Sequence, residues 1–365
     1  ASYNDVYNES HIFNFFGGME ANSVDRVQTW FNGAGMQYDN GMLGAYNYLY
    51  FKQGSEENAQ YYTVQPTASR SVAFFGTATY SYQGRYTISG TARYEGTNKL
   101  GKSRSARWLP TWNVSGAWNA HEEKFWKYME PAVSNFTLKA SYSLTADRGP
   151  ANVTNSLAIV QSYNPWRPFT NVKESGLQII EAENSDLTYE KKHELNIGAE
   201  VGFIENRINL AFDWYKRNNF DLIGLVNSAG TGVKITKYAN VASMKSHGVE
   251  FTLSTKNIKT KDFDWNSDFI FSHAKNEVTD LHSNSRIIEM ISGTGFTMAG
   301  YPVRSLFSID FQGLNQYGQP TFINESGNLT VSDLNFQETI KKEHLVYEGP
   351  TDPTITGSFG IKALI

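Results

Sequence analysis

The sequence predicts an all-β chain that forms part of an antiparallel transmembrane β-barrel with long extracellular loops. Three observations carry this prediction: apolar and polar residues alternate along many segments, the segments are short, and short connections alternate with long ones. Side chains of a strand point alternately to opposite faces, so alternation gives each segment one apolar and one polar face. A tilted strand of about ten residues is also long enough to cross a bilayer.

The clearest alternation lies in two segments, 71–82 and 86–96, joined by a tight turn at 83–85. On one face, even-numbered positions carry apolar, aromatic or small side chains, from Val72 and Phe74 to Ile88 and Tyr94. The odd-numbered positions are mostly Thr, Ser, Arg and Glu. This pattern predicts a hairpin with one face in an apolar medium and one in water.

About ten strands follow from the same pattern. The predicted strands are 8–20, 71–82, 86–96, 109–118, 136–145, 191–203, a segment marked by Ile208 to Trp214, 247–254, 263–273, and a last one that begins near Thr354. Residues 119–134 are predicted to form a short helical turn.

Loop lengths predict which end of the sheet faces which side of the membrane. The connections at 83–85, 204–206 and 255–262 are short, whereas long loops are predicted at approximately 21–70, 146–190, 218–245 and 276–353. Outer-membrane barrels have short periplasmic turns and long extracellular loops. Every strand direction agrees with this rule if 119–134 is a longer periplasmic turn.

Composition agrees with a barrel and excludes several other classes. Aromatic residues make up 14% of the 365 residues, yet the mean hydropathy is −0.45. The sequence contains no run of about 18 apolar residues, so it predicts no transmembrane helix. The net charge of −4 gives no basic field for nucleic acid. Cysteine is absent, which excludes disulfide and thiolate chemistry.

A soluble β-sandwich or propeller is the alternative fold, because such proteins also alternate. Two features favour the membrane barrel. The apolar faces mix bulky aromatics with Gly and Ala, which lipid tolerates better than a packed core does. The predicted long loops also exceed the length of about 12–15 residues beyond which loops are uncommon in compact domains.

Eight apolar-face residues are predicted to contact lipid, and for the tryptophans among them a place in an interfacial aromatic girdle is the other predicted role. They are Phe74, Ile88, Trp118, Leu138, Ile197, Trp214, Phe251 and Trp265.

Aromatic residues in the long loops are candidate contacts for a ligand or for a partner that covers the barrel. Loop 146–190 carries Tyr163, Trp166, Arg167 and Phe169, and the first long loop carries Trp30. Flat aromatic faces beside an Arg suit sugar rings, and they suit peptide side chains equally. Packing of these rings onto the barrel itself is the alternative.

The sequence predicts no catalytic residue, no metal site and no cofactor. The seven His residues show no ligand spacing. Glu122 and Glu123 lie in the predicted turn beside Phe125 and Trp126, where a surface helix accounts for them. No Gly-x-Ser-x-Gly element or phosphate-binding loop is present. The chain is therefore predicted not to be an enzyme.

Several motifs, in order along the chain, carry a family resemblance. The first comprises Arg93, Gly96, Gly101, Arg107, Trp108, Pro110, Gly116, Trp118, Glu122, Glu123 and Phe125. Later motifs are 187–190, 221–223, 240–250 and 349–359. Together they resemble the SusC/RagA family of TonB-dependent outer-membrane transporters. Departures include Glu95 and Thr111 in the first motif, and Ala242 and Ser246 where the family has Gly and Asn.

The resemblance implies a barrel of twenty-two strands, of which residues 1–365 are a partial barrel domain without the N-terminal plug and the final strands. It implies the outer membrane of a Gram-negative, Bacteroidetes-like cell, lipid contact, and energy from the TonB complex through the missing N-terminal region. The implied partners are a SusD-like surface lipoprotein and a second transporter–lipoprotein pair.

The expected substrate is an oligosaccharide, and an oligopeptide is the alternative. A passive porin or adhesion barrel remains the second hypothesis, and a soluble binding module or glycan-active enzyme the third.

Overall fold

The structure is a computed structural model that describes all residues except 33–35, 40–41, 57–61, 101–103, 131, 150–157, 164–173, 182–183, 228–235, 283–289, 292, 335–344 and 365. The strands are β1 Ser2–Tyr7, β2 His11–Phe31, β3 Met36–Asp39, β4 Met42–Tyr46, β5 Tyr62–Tyr82, β6 Tyr86–Thr97, β7 Trp108–Asn119, β8 Val133–Asp147, β9 Ile159–Tyr163, β10 Gly176–Glu181, β11 Glu190–Phe203, β12 Ile208–Asn227, β13 Thr236–Lys259, β14 Asp264–Leu281, β15 Ser305–Ser308, β16 Phe311–Leu314, β17 Pro320–Ile323, β18 Leu329–Thr330, β19 Val346–Pro350 and β20 Ile355–Leu364. The α-helices are α1 Tyr48–Glu56 and α2 Arg104–Arg107, and the 3₁₀ helices are Ala120–Glu122 and Lys124–Tyr128.

Eleven strands form one antiparallel sheet in the order β1-β2-β5-β6-β7-β8-β11-β12-β13-β14-β20. Within this sheet, each strand pairs with the sheet strand that comes before it along the chain. This is the up-and-down arrangement of membrane barrels. The all-β antiparallel prediction is therefore confirmed. The smaller sheets, β3-β4, β9-β10, β15-β19 and β16-β17-β18, belong to the long connections. None of the helices in the described ranges is long and apolar enough to cross a membrane.

The strand register keeps the apolar faces aligned from strand to strand. Phe74 of β5 lies opposite Met19 of β2 and Tyr94 of β6. Leu138 of β8 lies opposite Trp118 and Ala199. Because side chains alternate with a period of two, this register places one continuous apolar face on the sheet and one continuous polar face behind it.

The residues predicted to face lipid lie on this apolar face, where the described part of the chain leaves each of them exposed or half-buried. Phe74, Ile88, Leu138 and Ile197 are between 36% and 60% exposed, and Trp265 is 36% exposed. Trp118, Trp214 and Phe251 are half-buried, and cross-strand neighbours such as Phe212, opposite Phe251, account for the covering. Lipid contact itself stays a prediction.

Several predicted boundaries differ from the structure; β14, for example, extends to Leu281, inside the predicted loop 276–353. β1 precedes the predicted first strand, whose start at 8–10 is a turn with Asn8 and Glu9 at φ 49° and 54°. β2 and β5 remain paired as far as Phe31 and Tyr62, so much of the predicted loop 21–70 is strand. Similarly, β12 and β13 extend into the predicted loop 218–245. The predicted helical turn at 119–134 contains the two 3₁₀ helices.

Gly248 is required by close packing at the β12–β13 pair. It lies opposite Tyr215, whose ring is almost fully buried. A Cβ at Gly248 would stand 2.6 Å from the Tyr215 hydroxyl and 2.6 Å from the backbone oxygen of His273. The second contact is with backbone, so a side chain at this position would force two strands apart.

We expect Gly248→Ala to destabilise the full-length protein by about 1–3 kcal/mol, the usual cost of overpacking. Urea unfolding in detergent, followed by tryptophan fluorescence, measures this loss. The matched control is Gly90→Ala, another strand glycine, because no atom lies within 4 Å of a Cβ built there. Equal stability of the two variants would contradict the packing role of Gly248.

Candidate functional site

Three of the motifs that carried the family resemblance, 187–190, 221–223 and 240–250, meet at the end of the sheet where the long connections begin, here called the long-loop end. Asn240 in β13 joins two of them. Its Oδ1 accepts the Thr188 backbone N–H at 2.9 Å, and its Nδ2 donates to the Thr188 carbonyl at 2.9 Å and to the Asp221 carbonyl at 2.6 Å. One amide side chain therefore fixes the segment before β11 against β12 and β13.

The carboxylate of Glu190 makes a second link between these motifs. It accepts the backbone N–H of Ile223 at 2.8 Å, beside an irregularity of the β12–β13 register. Asp221, with φ 57°, lies in this irregular stretch, and its carboxylate pairs with the Lys191 ammonium at 2.6 Å. The side chains satisfy backbone groups where the ladder is interrupted, as buried backbone requires.

A small apolar cluster, here called the rim cluster, lies under these links. It consists of Leu100, Leu187 and Tyr189, which are at most 3% exposed. Leu109, Ala146, Ile223 and Tyr238 pack against it. The Tyr189 hydroxyl donates to the Arg107 carbonyl at 3.4 Å. Burial, and then the nearby Glu95 carboxylate, raise the pKa of Tyr189 to about 12, so this phenol is neutral at physiological pH.

Beside the rim cluster, four charged side chains form an ion-pair network on the polar face. Arg93 of β6 pairs with Glu20 of β2 at 2.9 Å and with Glu95 of its own strand at 2.7 Å. Arg148, just after β8, pairs with the other oxygen of Glu95. Arg93 can reach across β5 because Ala73, which lies between Glu20 and Glu95, is small. The network therefore joins β2 and β6 to the chain that follows β8.

The network borders a cavity of about 260 Å³, here called the polar-face pocket. Its walls are Arg93, Glu95, Leu109, Thr111, Thr145, Ala146, Arg148 and Tyr189. The walls thus combine two guanidinium groups, one carboxylate and three hydroxyl-bearing side chains with the apolar side chains of Leu109 and Ala146. Such a combination of convergent polar groups and apolar surface is typical of binding sites for small polar molecules.

The candidate contact residues predicted from sequence lie elsewhere. Trp30 is near the end of β2 and Tyr163 is at the end of β9; each is 45% exposed. The Tyr163 ring lies against Gly176 of β10, where a Cβ would stand 2.9 Å from it. Trp166, Arg167 and Phe169 lie outside the described residues. The structure places Trp30 and Tyr163 in separate sheets.

Sequence reasoning missed the ion-pair network and the pocket. The signal at Arg93 and Glu95 was present, since residues two apart on a strand share a face. Nothing in the local sequence pointed to Arg148 or Glu20, which the fold brings to Glu95 and Arg93 from distant positions. Among the described residues, no group of three or more His, Asp or Glu side chains is placed to hold a metal ion.

At the opposite end of the sheet, the Glu123 carboxylate contacts three neighbouring side chains. It accepts hydrogen bonds from the Tyr86 hydroxyl at 2.5 Å and the Trp118 Nε1 at 3.4 Å, and it pairs with Arg85 at 3.4 Å. The Tyr86 hydrogen bond, followed by the one from Trp118 and the charge of Arg85, lowers the pKa of the Glu123 carboxyl. These contacts fasten the 3₁₀ turn to the hairpin.

Comparison with protein families identifies this architecture. The model of the family described as "TonB dependent receptor-like, beta-barrel" matches residues 1–339. The chain belongs to this family. Within the TonB-dependent receptors, it is 28% identical over 260 residues to the TonB-dependent receptor SusC of Bacteroides thetaiotaomicron. It is 25% identical over 270 residues to the TonB-dependent receptor P3 of Formosa agariphila.

These matches cover 66% and 70% of this chain but only 25% and 26% of the two relatives, so the chain spans about a quarter of their length. Among solved structures, the RagAB peptide transporter superposes with a TM-score of 0.77 at 21% identity, covering 99% of this chain and 38% of that one. The predicted resemblance to SusC/RagA transporters is thus confirmed.

We expect Arg148→Ala to loosen the base of the connection between β8 and β11. Loss of a charged, partly exposed hydrogen bond should lower the local opening free energy by about 1–2 kcal/mol, so that amides of 184–190 exchange about 5–30 times faster. Hydrogen exchange with mass spectrometry measures this change.

Lys139→Ala is the matched control, since Lys139 also pairs with a glutamate, Glu200, but both partners lie within the sheet. If both variants exchange at the wild-type rate in 184–190, Arg148 does not hold the connection.

Proposed function

We propose that this chain is part of the barrel of a TonB-dependent importer that carries an oligosaccharide across the outer membrane of a Gram-negative bacterium. The family match over residues 1–339 is the observation that carries the proposal. The relative named SusC and the two-faced sheet support it. The proposed activity is transport without catalysis, and it belongs to the longer protein of which this chain matches about a quarter.

The apolar face supports the membrane part of this proposal. Trp118 and Trp108 lie ten residues apart on this face of β7. Trp118 lies opposite Tyr86, and the Trp108 ring stacks on the Tyr94 ring. At about 3.4 Å per residue and a tilt of about 40°, the two tryptophans are about 26 Å apart along the membrane normal. Barrels have an apolar band about 25 Å tall between two aromatic girdles. In this arrangement all eight predicted lipid-facing residues, Phe74, Ile88, Trp118, Leu138, Ile197, Trp214, Phe251 and Trp265, contact lipid or its interface.

The proposed partners are a SusD-like lipoprotein lid, the TonB complex and a second transporter–lipoprotein pair. The lid would sit over the long-loop end, where Trp30, Tyr163, Trp166, Arg167 and Phe169 are the proposed contacts for lid or ligand. An oligopeptide substrate is the alternative, since the RagAB structure is that of a peptide transporter. Its 21% identity to this chain supports a common fold and leaves the substrate open.

Energised uptake tests the proposed function. In cells that express the full-length protein and its lid, we expect uptake of fluorescent oligosaccharides to stop when TonB is deleted or the proton-motive force is collapsed. Detergent-solubilised complexes should retain oligosaccharide binding. Uptake that continues without TonB would instead favour a passive porin, and uptake of peptides alone would favour the oligopeptide alternative.

We expect Trp166→Ala to weaken oligosaccharide or lid binding about tenfold, because an aromatic anchor can carry a large share of an interface's energy. Titration calorimetry of the purified complex measures both affinities. Trp265→Ala is a matched control, because it removes a tryptophan on the apolar face, which is not a proposed contact for ligand or lid. Unchanged affinity for ligand and for lid would remove Trp166 from the site.

A further inference from the structure

We propose that the polar-face pocket is a subsite for a single neutral, hydroxyl-rich ring, such as one sugar unit of the transported ligand. This inference rests on the proposed function, which it deepens by assigning a place on the barrel wall. The pocket lies on the polar face, which is the face directed into the lumen if the apolar face contacts lipid.

The size of the pocket suits one ring. Its volume is about 260 Å³, just below the range of about 300–1,000 Å³ that is usual for sites that enclose a drug-sized ligand. A longer ligand would therefore place one unit in the pocket and leave the others in the lumen. The cavity is bounded by side chains from β6, β7 and β8 and from the segments that flank the β8–β11 connection.

The chemistry of the walls matches a polyol. Arg93 and Arg148 supply N–H donors, Glu95 supplies acceptors, and the hydroxyls of Thr111 and Thr145 can serve as either. Leu109 and Ala146 add apolar surface to the walls, against which the C–H face of a sugar ring can pack. A ring with several hydroxyls can use all these groups, because each hydroxyl both donates and accepts.

The charge balance of the pocket argues for a neutral ligand. The two guanidinium groups of the network are matched by two carboxylates, Glu20 and Glu95. An entering carboxylate would have to compete with Glu95 for arginines that are already paired, and it would be repelled by Glu95 at short range. A neutral hydroxyl needs no such exchange, because it brings no charge and can both donate and accept hydrogen bonds.

The walls are also preorganised. Arg93 is held by Glu20 and by two contacts to Glu95, and its guanidinium lies 6.0 Å from the centre of the Phe75 ring. Glu95 is largely covered, at 18% side-chain exposure. Since these side chains are fixed before a ligand arrives, binding does not have to order them, which favours affinity.

The test fills the pocket without touching its ion pairs. Thr145→Trp, on the β8 wall, is compared with Ser141→Trp, which lies on the same strand and face but outside the pocket. Thr111→Val combined with Thr145→Val removes two hydroxyls with little change of shape, and it serves if the Trp variant does not assemble. The protein is the full-length complex with its lid in detergent, titrated with neutral malto-, xylo- and laminari-hexaose and with acidic oligogalacturonate.

We expect the wild type to bind a neutral hexaose at least about tenfold more tightly than the acidic oligosaccharide. Thr145→Trp and the double Val variant should weaken neutral binding about tenfold, whereas Ser141→Trp should leave it within about twofold. The subsite proposal is wrong if Thr145→Trp binds neutral hexaose with wild-type affinity. It is equally wrong if the Trp variant does not assemble and the double Val variant binds neutral hexaose with wild-type affinity. Preference for the acidic ligand, or binding to none of the four, also overturns the subsite.

The outcome is separable from that of the proposed function. TonB-dependent uptake of a neutral glycan that is insensitive to both pocket variants refutes the subsite and keeps the importer. If uptake is independent of TonB but binding of the neutral glycan is weakened by the pocket variants, the importer proposal is wrong and the subsite is supported.

Discussion

Register is the constraint on which the rest of this structure depends. A slip of one residue in any strand pair would move apolar side chains to the polar face. Ala140, Gly116, Ile88 and Tyr80, on four successive strands, occupy one rung of the apolar face. β2 and β5 keep a single register from His11–Tyr82 to Phe31–Tyr62. Because the register holds, polar side chains from separate strands can meet on one surface.

The long-loop end is held by side chains that replace missing backbone pairing. The amide of Asn240 donates to and accepts from Thr188 as the backbone of a neighbouring strand would. The carboxylate of Glu190 binds the Ile223 N–H next to the break in the β12–β13 ladder. These residues belong to the motifs that resemble the transporter family. Their role here is structural: they anchor the base of the β8–β11 connection, which carries Tyr163, Trp166, Arg167 and Phe169 in its sequence.

The apolar face could be predicted from sequence because its signal is local. Alternation from Val72 to Tyr94 reads directly as two strand faces, and the structure pairs them as expected. The outer parts of β2 and β5 could not be predicted in this way. From Glu20 to Arg26 both faces of β2 are mostly polar, so the alternation disappears. Pairing with β5, far along the chain, makes this segment a strand.

The candidate site was less predictable for the same reason. Arg93 and Glu95 share a face, but the partners that complete the network, Glu20 and Arg148, come from distant parts of the chain. The aromatic loop residues drew attention because aromatics stand out in a sequence. A pocket whose walls are mostly Thr, Ala, Leu and paired charges, with the single tyrosine Tyr189, has little local mark in the sequence, and it exists only after β6, β7 and β8 are placed side by side.

The polar face of β5 and β6 changes character along its length, and the change follows from the cost of charge. Near the turn at 83–85, hydroxyls bond to each other in successive pairs: Ser81–Thr87 at 3.0 Å, Thr79–Ser89 at 2.9 Å and Thr77–Thr91 at 3.1 Å. Hydroxyl pairs satisfy themselves without the desolvation penalty that partly covered ions carry. Charges appear only farther up, at Arg93 and Glu95, where two arginines and two glutamates compensate each other. Neither half therefore presents an uncompensated charge on the polar face. If this face lines a lumen, as proposed, it would offer hydrogen bonds to a neutral solute without a field that concentrates ions.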